Sequence, residues 1–343
     1  MAVDFYVPSN VPGPSGGTNY NSAVARGLRA RGVPVVVHPV AGAWPRPSPW
    51  EGPGGGGVAV VDGLIGSACP EAIARAGAGG ARVHVLVHMA LPSDPAWSDR
   101  ERAGVREREA RALRAAAGVI TTSHWSAADL HRRYGLAGVE VISPGVEPAP
   151  VARGSFPPRI LCLGALTPAK NQLTLLRALK MIQDLPWQAH LVGSHDHDPA
   201  YAARVRAEAA TMAPQRVRVP GPQEGEELTL TWQGTDLLVL CSATETFGLV
   251  VTEALARGVP ALVSQGTGAE EALGSRPLAG GAVDGRDPGA IAASLRQWLT
   301  RRSLRRDWRE AALIRRTALP TWGEAADRWR ALLGDPGAGA RGA

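Results

Sequence analysis

The stretch SATETFGLVVTEALARGVPALVS (242–264) holds two acids, Glu245 and Glu253, with seven residues between them in a run that is otherwise mostly apolar. Carboxylates are seldom buried unless paired, because an isolated charge loses several kcal/mol of hydration. DLLVLCS, just upstream, reads as a buried strand, and GLVVTEALARG as a short helix closed by Gly258 at its C′ position. Glu245 then lies on the strand-to-helix loop and Glu253 in the helix, about two turns from its start. The helix is apolar nearly all round, as an element sandwiched between others must be. Around Phe247, Gly248 and Leu249 its N-terminus offers unpaired backbone N–H groups and a partial positive charge, a ready anion site. Gly248 lets backbone come close to a ligand. An acid beside such a helix end and another in its wall suit a ligand with both phosphates and hydroxyls. The plainer reading is a solvated Glu245 and a Glu253 paired with a buried arginine, and spacing alone does not choose between them.

In RILCLGALTPAKNQLTLLRAL (159–179) a strand ends at Gly164, a turn follows, and Asn171 is expected to cap the next helix. Lys170 then sits at the positive helix end, unfavourable for a cation by up to about 1 kcal/mol. A bound phosphate reverses that sign; otherwise the lysine projects into water. Near the start, a strand leads through Gly13, Gly16 and Gly17 to a helix expected to be capped by Thr18 or Asn19. The segment is neither a dinucleotide-binding G-x-G-x-x-G nor a P-loop. His88 ends the strand RVHVLVHM at the edge where such sheets bind ligands, and Asp62 in VVDGLI has a similar place. His195 and His197 in GSHDHDP lack a third and fourth ligand, so they read as a solvated loop rather than a metal site. RERAGVREREARALR (100–114) mixes both signs at helical spacing and reads as a salt-bridged solvent face.

These residues need a frame of alternating strands and helices. Strand candidates in the first half are 3–8, 33–38, 58–62, 82–88, 118–122 and 139–143, with helices at 19–31, 70–77, 98–117 and 126–134, the last capped by Ser126. The proline-rich, aperiodic PGVEPAPVARGSFPP (144–158) marks a junction. Strands then recur at 159–164, 188–193, 217–221, 237–241 and 261–264, with helices beginning near 172, 199, 226, 249 and 269, and the chain is helical from 287 to about 333. The expectation is an α/β protein of two doubly wound parallel-sheet domains facing a central cleft. They span 1–150 and 156–310; C-terminal helices at 311–334 are placed to pack back toward the first domain, and 335–343 forms a frayed tail.

The chain has 343 residues and a net charge of +6, almost all from arginine, since Lys170 and Lys180 are its only lysines. That excess favours an acidic ligand or a peripheral contact with an anionic membrane surface, but is too diffuse for nucleic acid. No apolar run approaches the roughly 20 residues of a membrane helix, and MAVDFYVPSN has no signal-peptide pattern. A cytoplasmic protein is expected. Cys69, Cys162 and Cys241 are too scattered for a metal set and read as buried thiols.

With these pieces placed, the sequence resembles the retaining glycosyltransferases of family 4, which have the two-domain GT-B fold of Rossmann-like halves. ETFGLVVTEALARGVPALVS matches that family's Glu, seven residues, Glu motif and its flanks. PSGGTNYNSAVARGLRARGVPV is similar to its opening Gly-Gly loop, VITTSHWSAADL to its serine segment, and VISPGVEP to its run into the linker. The resemblance implies a metal-independent transferase without cofactor, whose co-substrate is a nucleoside-diphosphate sugar, UDP-linked by the family's habit. The acceptor would be a small molecule or lipid-linked. Glu253 would hold the ribose hydroxyls, Glu245 the donor sugar, and Lys170 the diphosphate. Phe247, Gly248 and Leu249 would meet the donor with backbone, Gly164 and Gly268 would lie beside it, Gly16 and Gly17 would form the acceptor-side loop, and His88 would be the strand-end active-site histidine. Two positions depart: Ala165 stands where an arginine is usual, and Thr267–Gly268 where Gly-Gly is usual. The rivals are an epimerase or phosphorylase on the same scaffold, or a non-catalytic nucleotide-sugar-binding protein.

Overall fold

The computed structural model describes residues 2–10, 15–95 and 97–334; Gly13 and the tail 335–343 lie outside the described residues. By its contacts the chain divides into two compact units, Met1–Gly145 with Pro320–Ala343, and Val146–Leu319.

The first half of the chain runs β1 (Val3–Pro8), α1 (Gly16–Arg29), β2 (Val35–Val40), β3 (Val58–Asp62), α2 (Gly63–Ala68) and α3 (Pro70–Ala78). It continues through β4 (Arg82–Val87), α4 (Asp99–Ala115), β5 (Gly118–Thr121), α5 (His124–Tyr134) and β6 (Glu140–Val141). The six strands form one parallel sheet ordered β2-β1-β3-β4-β5-β6. Successive residues of β3 feed opposite cores: Val60 packs with Phe5, Tyr20, Leu86 and Ile120, whereas Val61 packs with Ile65, Val85 and Leu113. Burial on both faces is why these strands read as unbroken apolar runs.

The second half runs β7 (Arg159–Leu163), α6 (Gln172–Lys180), β8 (Gln188–Val192), α7 (Pro199–Ala209), β9 (Val217–Gly221), α8 (Gly225–Gln233), β10 (Leu237–Leu240) and α9 (Leu249–Ala256). Then come β11 (Ala261–Ser264), α10 (Gly268–Leu273), β12 (Gly280–Val283), α11 (Pro288–Thr300), α12 (Arg302–Arg316) and α13 (Trp322–Leu333). The parallel sheet is ordered β12-β11-β10-β7-β8-β9. The helix α13 belongs to the first unit, where Trp329 joins Phe5, Tyr20 and Leu28 in the core.

Several local expectations are corrected. The helix α1 is capped by Ser15, with Thr18 as its reciprocal partner three residues in, so Gly16 and Gly17 are helical rather than loop residues. The helix α5 is capped by Ser123, whose Oγ accepts from the Ser126 N–H at 2.9 Å. The helix α2 and strand β12 were not foreseen: GLIGSA and GGAV carry too much glycine to show a periodic apolar signal. The helical run after 287 is three helices, broken at Arg301 and at 317–321. All three cysteines are free and buried. Among the described residues no helix is long and apolar enough to cross a membrane.

Candidate active site

In the second sheet, chain order reverses between the neighbours β7 and β10. Loops leaving such a pair part from one another, which is where open α/β sheets hold ligands. One loop carries Gly164, Ala165 and a 3₁₀ turn, Pro168–Lys170; the other carries Ser242 to Phe247. A backbone bond from Ala243 N to Ala169 O, 2.8 Å, joins them. Across that joint Lys170 Nζ donates to Glu245 Oε2 at 2.6 Å, and Ser242 Oγ donates to the same oxygen at 3.3 Å. The pair is half-buried, with side chains 30% and 13% exposed, so it is less screened by solvent than a surface pair. Lys170 stands on the turn before α6 rather than in the helix's first turn. Asn171 occupies the cap position but caps nothing with its side chain: Nδ2 donates to Gly285 O at 2.7 Å and Oδ1 accepts from Thr174 Oγ1 at 2.7 Å. Its φ of 56° is the one positive value for a non-glycine among the described residues. A left-handed backbone there costs on the order of 1 kcal/mol, and such outliers gather at functional sites.

Gly248, at the N-cap of α9 with φ 85°, makes no side-chain cap, so the first-turn N–H groups of that helix have no such partner. A positive φ of this size favours glycine. The loop ahead of it is pinned by Gly268, whose N–H donates to Glu245 O at 2.7 Å. A Cβ at Gly268 would fall 1.9 Å from Thr246 O, so only glycine permits that approach. The Phe247 ring is core, leaving its backbone alone for a ligand. Glu253 is the fifth residue of α9, a little over one turn in rather than two. Among the described residues its carboxylate makes no hydrogen bond. The neighbouring Arg257 donates instead to the Glu253 backbone O at 2.9 Å and lies 5.0 Å over the Trp232 ring. Burial pushes the Glu253 carboxyl above the ordinary carboxylate range, opposed by the charge of Arg257. A partly buried arginine is thus near, yet it takes the carbonyl and leaves the acid free to accept hydrogen bonds from hydroxyls.

The first sheet reverses between β1 and β3. His88 follows β4 by one residue, with its Nε2 2.8 Å from Asn21 Oδ1. Asn21 Nδ2 donates to Asp62 Oδ2 at 2.8 Å, and Asp62 Oδ1 caps α2 through Leu64 N at 2.9 Å. A carboxylate only accepts, so Asn21 turns its NH₂ to Asp62 and must accept through Oδ1 from the imidazole. The proton of neutral His88 is therefore on Nε2, and Nδ1 is an acceptor. Burial lowers the His88 pKa against the opposing charge of Asp62, which keeps the ring neutral near pH 7. A Cβ on Gly17 would fall 3.0 Å from His88 Cδ2, so the start of α1 closes on the ring. Asn21, buried and central to it, escaped the sequence reading: a lone asparagine in a helical run carries no signal until its partners are known. His195 faces Asp196 at 3.7 Å, and among the described residues no three or more His, Cys, Asp or Glu side chains group as a metal site.

A family model described as glycosyl transferases group 1 matches residues 108–315, more than half of the chain. The chain belongs to the group 1 glycosyl transferases. Curated relatives include a D-inositol 3-phosphate glycosyltransferase of Streptosporangium roseum, 28% identical in an alignment of 256 residues that covers 67% of this chain and 57% of that one. Another, of Corynebacterium diphtheriae, is 34% identical over 126 residues, 35% of this chain and 28% of that one. The chain thus spans less than two thirds of either relative. Among solved structures it is similar to sucrose-phosphate synthase from Thermosynechococcus elongatus, with TM-score 0.78, 19% identity and coverage of 97% and 98%. It is also similar to Anabaena Alr3699/HepE in complex with UDP and glucose, with TM-score 0.76, 17% identity and coverage of 98% and 100%. These likenesses show the fold, the GT-B architecture of two doubly wound units.

Proposed function

We propose that this glycosyl transferase is a cytoplasmic, family 4-like retaining enzyme that moves a sugar from a UDP-sugar to an acceptor hydroxyl without a metal. The observation that carries the reading is the Lys170–Glu245 pair, 2.6 Å long, set at the reversal of the second sheet and followed by a helix start without side-chain cap. A diphosphate there meets an ammonium and first-turn N–H groups, which stabilise the charge that develops as it leaves. Glu245, released from Lys170, accepts from sugar hydroxyls, and Glu253 from the ribose. The bond from the anomeric carbon to phosphate breaks, the acceptor oxygen attacks from the same face, and the departing phosphate takes the acceptor proton. Positioning supplies the rest.

A structural neighbour in complex with UDP and glucose supports a uridine donor, and the names of the curated relatives put inositol phosphates first among acceptors to try. The deciding experiment follows nucleotide release from UDP-, GDP- and ADP-sugars, with and without inositol phosphates and lipid-linked acceptors, in excess chelator. Acceptor-dependent release that survives chelator is expected. Release or sugar isomerisation without acceptor would instead establish hydrolysis or epimerisation, and activity restored only by magnesium or manganese would refute the metal-free reading.

A further inference from the structure

The helix α12 carries six arginines against two acids in fifteen residues. Three of them, Arg305, Arg306 and Arg309, line a cavity of about 380 Å³ together with Arg153, Phe156 and Trp298, all within the second unit. The carboxylate in that wall, Asp236, is already engaged: it accepts from Arg159 N at 2.8 Å, Ser155 N at 2.9 Å and Ser155 Oγ at 3.2 Å. Arg309 donates to Ala152 O. Arg306 meets Asp307 and Glu310 at 3.3 and 3.8 Å in exposed pairs, which hold little against a competing anion. Arg305 rests 5.9 Å over the Trp298 ring, and among the described residues no acid pairs with Arg153 or Arg305. At the rim, Phe156 is 93% exposed.

We propose that this face is a docking site for an anionic lipid surface, with a head-group phosphate held in the arginine cavity and the Phe156 ring entering the apolar boundary. Guanidinium forks match phosphate oxygens in pairs, and four arginines against the one carboxylate in its wall leave the cavity net cationic. A single exposed apolar side chain is ordinary on a soluble surface. Its position on the lip of a cationic cavity is what selects lipid over a free phosphate, which would occupy the arginines and leave the ring in water. Interfacial segments combine basic and aromatic groups in this way. None of these residues takes part in the Lys170–Glu245 site, so the inference stands or falls apart from the proposed reaction.

The test is co-sedimentation of the full chain with phosphatidylcholine vesicles, plain or with roughly one third phosphatidylglycerol. Binding to the anionic vesicles alone is expected, weakening as salt rises. The double variant Arg153→Glu/Arg306→Glu should lower the partition coefficient by roughly tenfold or more, since each arginine near such a surface contributes about fivefold. Phe156→Ser should lower it severalfold and most visibly at high salt, where charge is screened. Arg204→Glu/Arg206→Glu, an equal charge change on the exposed side of α7, should bind as the parent does. Urea midpoints of all variants report whether they are folded. The proposal is overturned if the α7 pair loses as much as the cavity pair, if plain vesicles bind equally, or if no vesicle binds while inorganic phosphate binds the cavity arginines.

Discussion

Lys170 and Glu245 hold one another at 2.6 Å, so a ligand that takes either must leave the other with a substitute. In the proposed reaction a diphosphate would do this for the lysine and sugar hydroxyls for the acid, which would tie the two halves of a donor to one event. Lys170→Ala should weaken a nucleoside diphosphate by roughly 1.5–3 kcal/mol, or about ten- to a hundredfold, and a bare nucleoside hardly at all. Ala165 offers no second cation at the end of β7, which pushes the expected loss toward the upper figure. Calorimetry with both ligands decides it, and equal losses would remove Lys170 from the diphosphate. The same titrations separate the acids. Glu253→Ala should weaken the bare diphosphate by on the order of 1–3 kcal/mol. Glu245→Ala should spare it and instead reduce the added affinity and turnover brought by the sugar. If both variants weaken bare diphosphate alike, the division of labour is wrong.

Among the elements, α4 shows how a packing role hides in a charged sequence. It reads as a solvent face of paired charges, yet Val105, Glu109, Ala110, Ala112 and Leu113 are buried. Glu109 is 0% exposed. Its Oε1 accepts from Leu91 N at 3.0 Å, and its Oε2 accepts from the hydroxyl of Tyr134, so one carboxyl bolts α4 to α5 and to the turn three residues beyond His88. Burial pushes its pKa up to about 7, against the smaller pull of Tyr134, Leu91 N and Arg133 and with a push from Asp129. The native chain therefore keeps this proton while the unfolded chain sheds it near 4.5. The stabilising contribution is full below that value and is lost as pH rises toward about 7, on the order of 3 kcal/mol. Glu109→Gln keeps an acceptor for Leu91 and cannot ionise. Its stability relative to the parent should improve by that amount between pH 4.5 and 7.5 in urea titrations, and a difference constant across that range would show that Glu109 does not titrate there.

For the whole molecule, the path of the chain matters more than its two-halves pattern. The first unit is completed from residue 320 onward. Trp329 is 0% exposed, donates from Nε1 to the Tyr20 hydroxyl at 2.9 Å, and lies 6.4 Å from the Phe5 ring. The Tyr20 hydroxyl in turn donates to Ile142 O at 2.8 Å, so the last helix reaches the end of the first sheet through one ring. Trp329→Ala in the full chain should cost about 3–5 kcal/mol. A fragment ending at residue 150 should be unable to fold cooperatively, because its α1 face has lost that partner. Denaturant titration of both settles the point; a fragment with a sharp native transition would show that α13 is dispensable.

Several features were legible in residue order because their causes are local. Unbroken apolar runs of four to six residues announce strands buried on both faces, Gly258 closes α9 because a left-handed C′ residue suits glycine, and Glu245 falls on a loop because DLLVLCS ends just before it. The resemblance made Lys170 and Glu245 candidates separately, on two different segments. Their meeting was decided by the tertiary structure, since it depends on β10 lying beside β7, seventy-odd residues earlier in the chain. The same holds for Asn21, Asp62 and His88, which share one proton network only because β3 and β4 end side by side under α1. Nearest-neighbour chemistry fixes which residues turn, cap or bury; the pairing of distant strands fixes which side chains touch, and the energy of that pairing is spread over the whole sheet and leaves no mark at any single position.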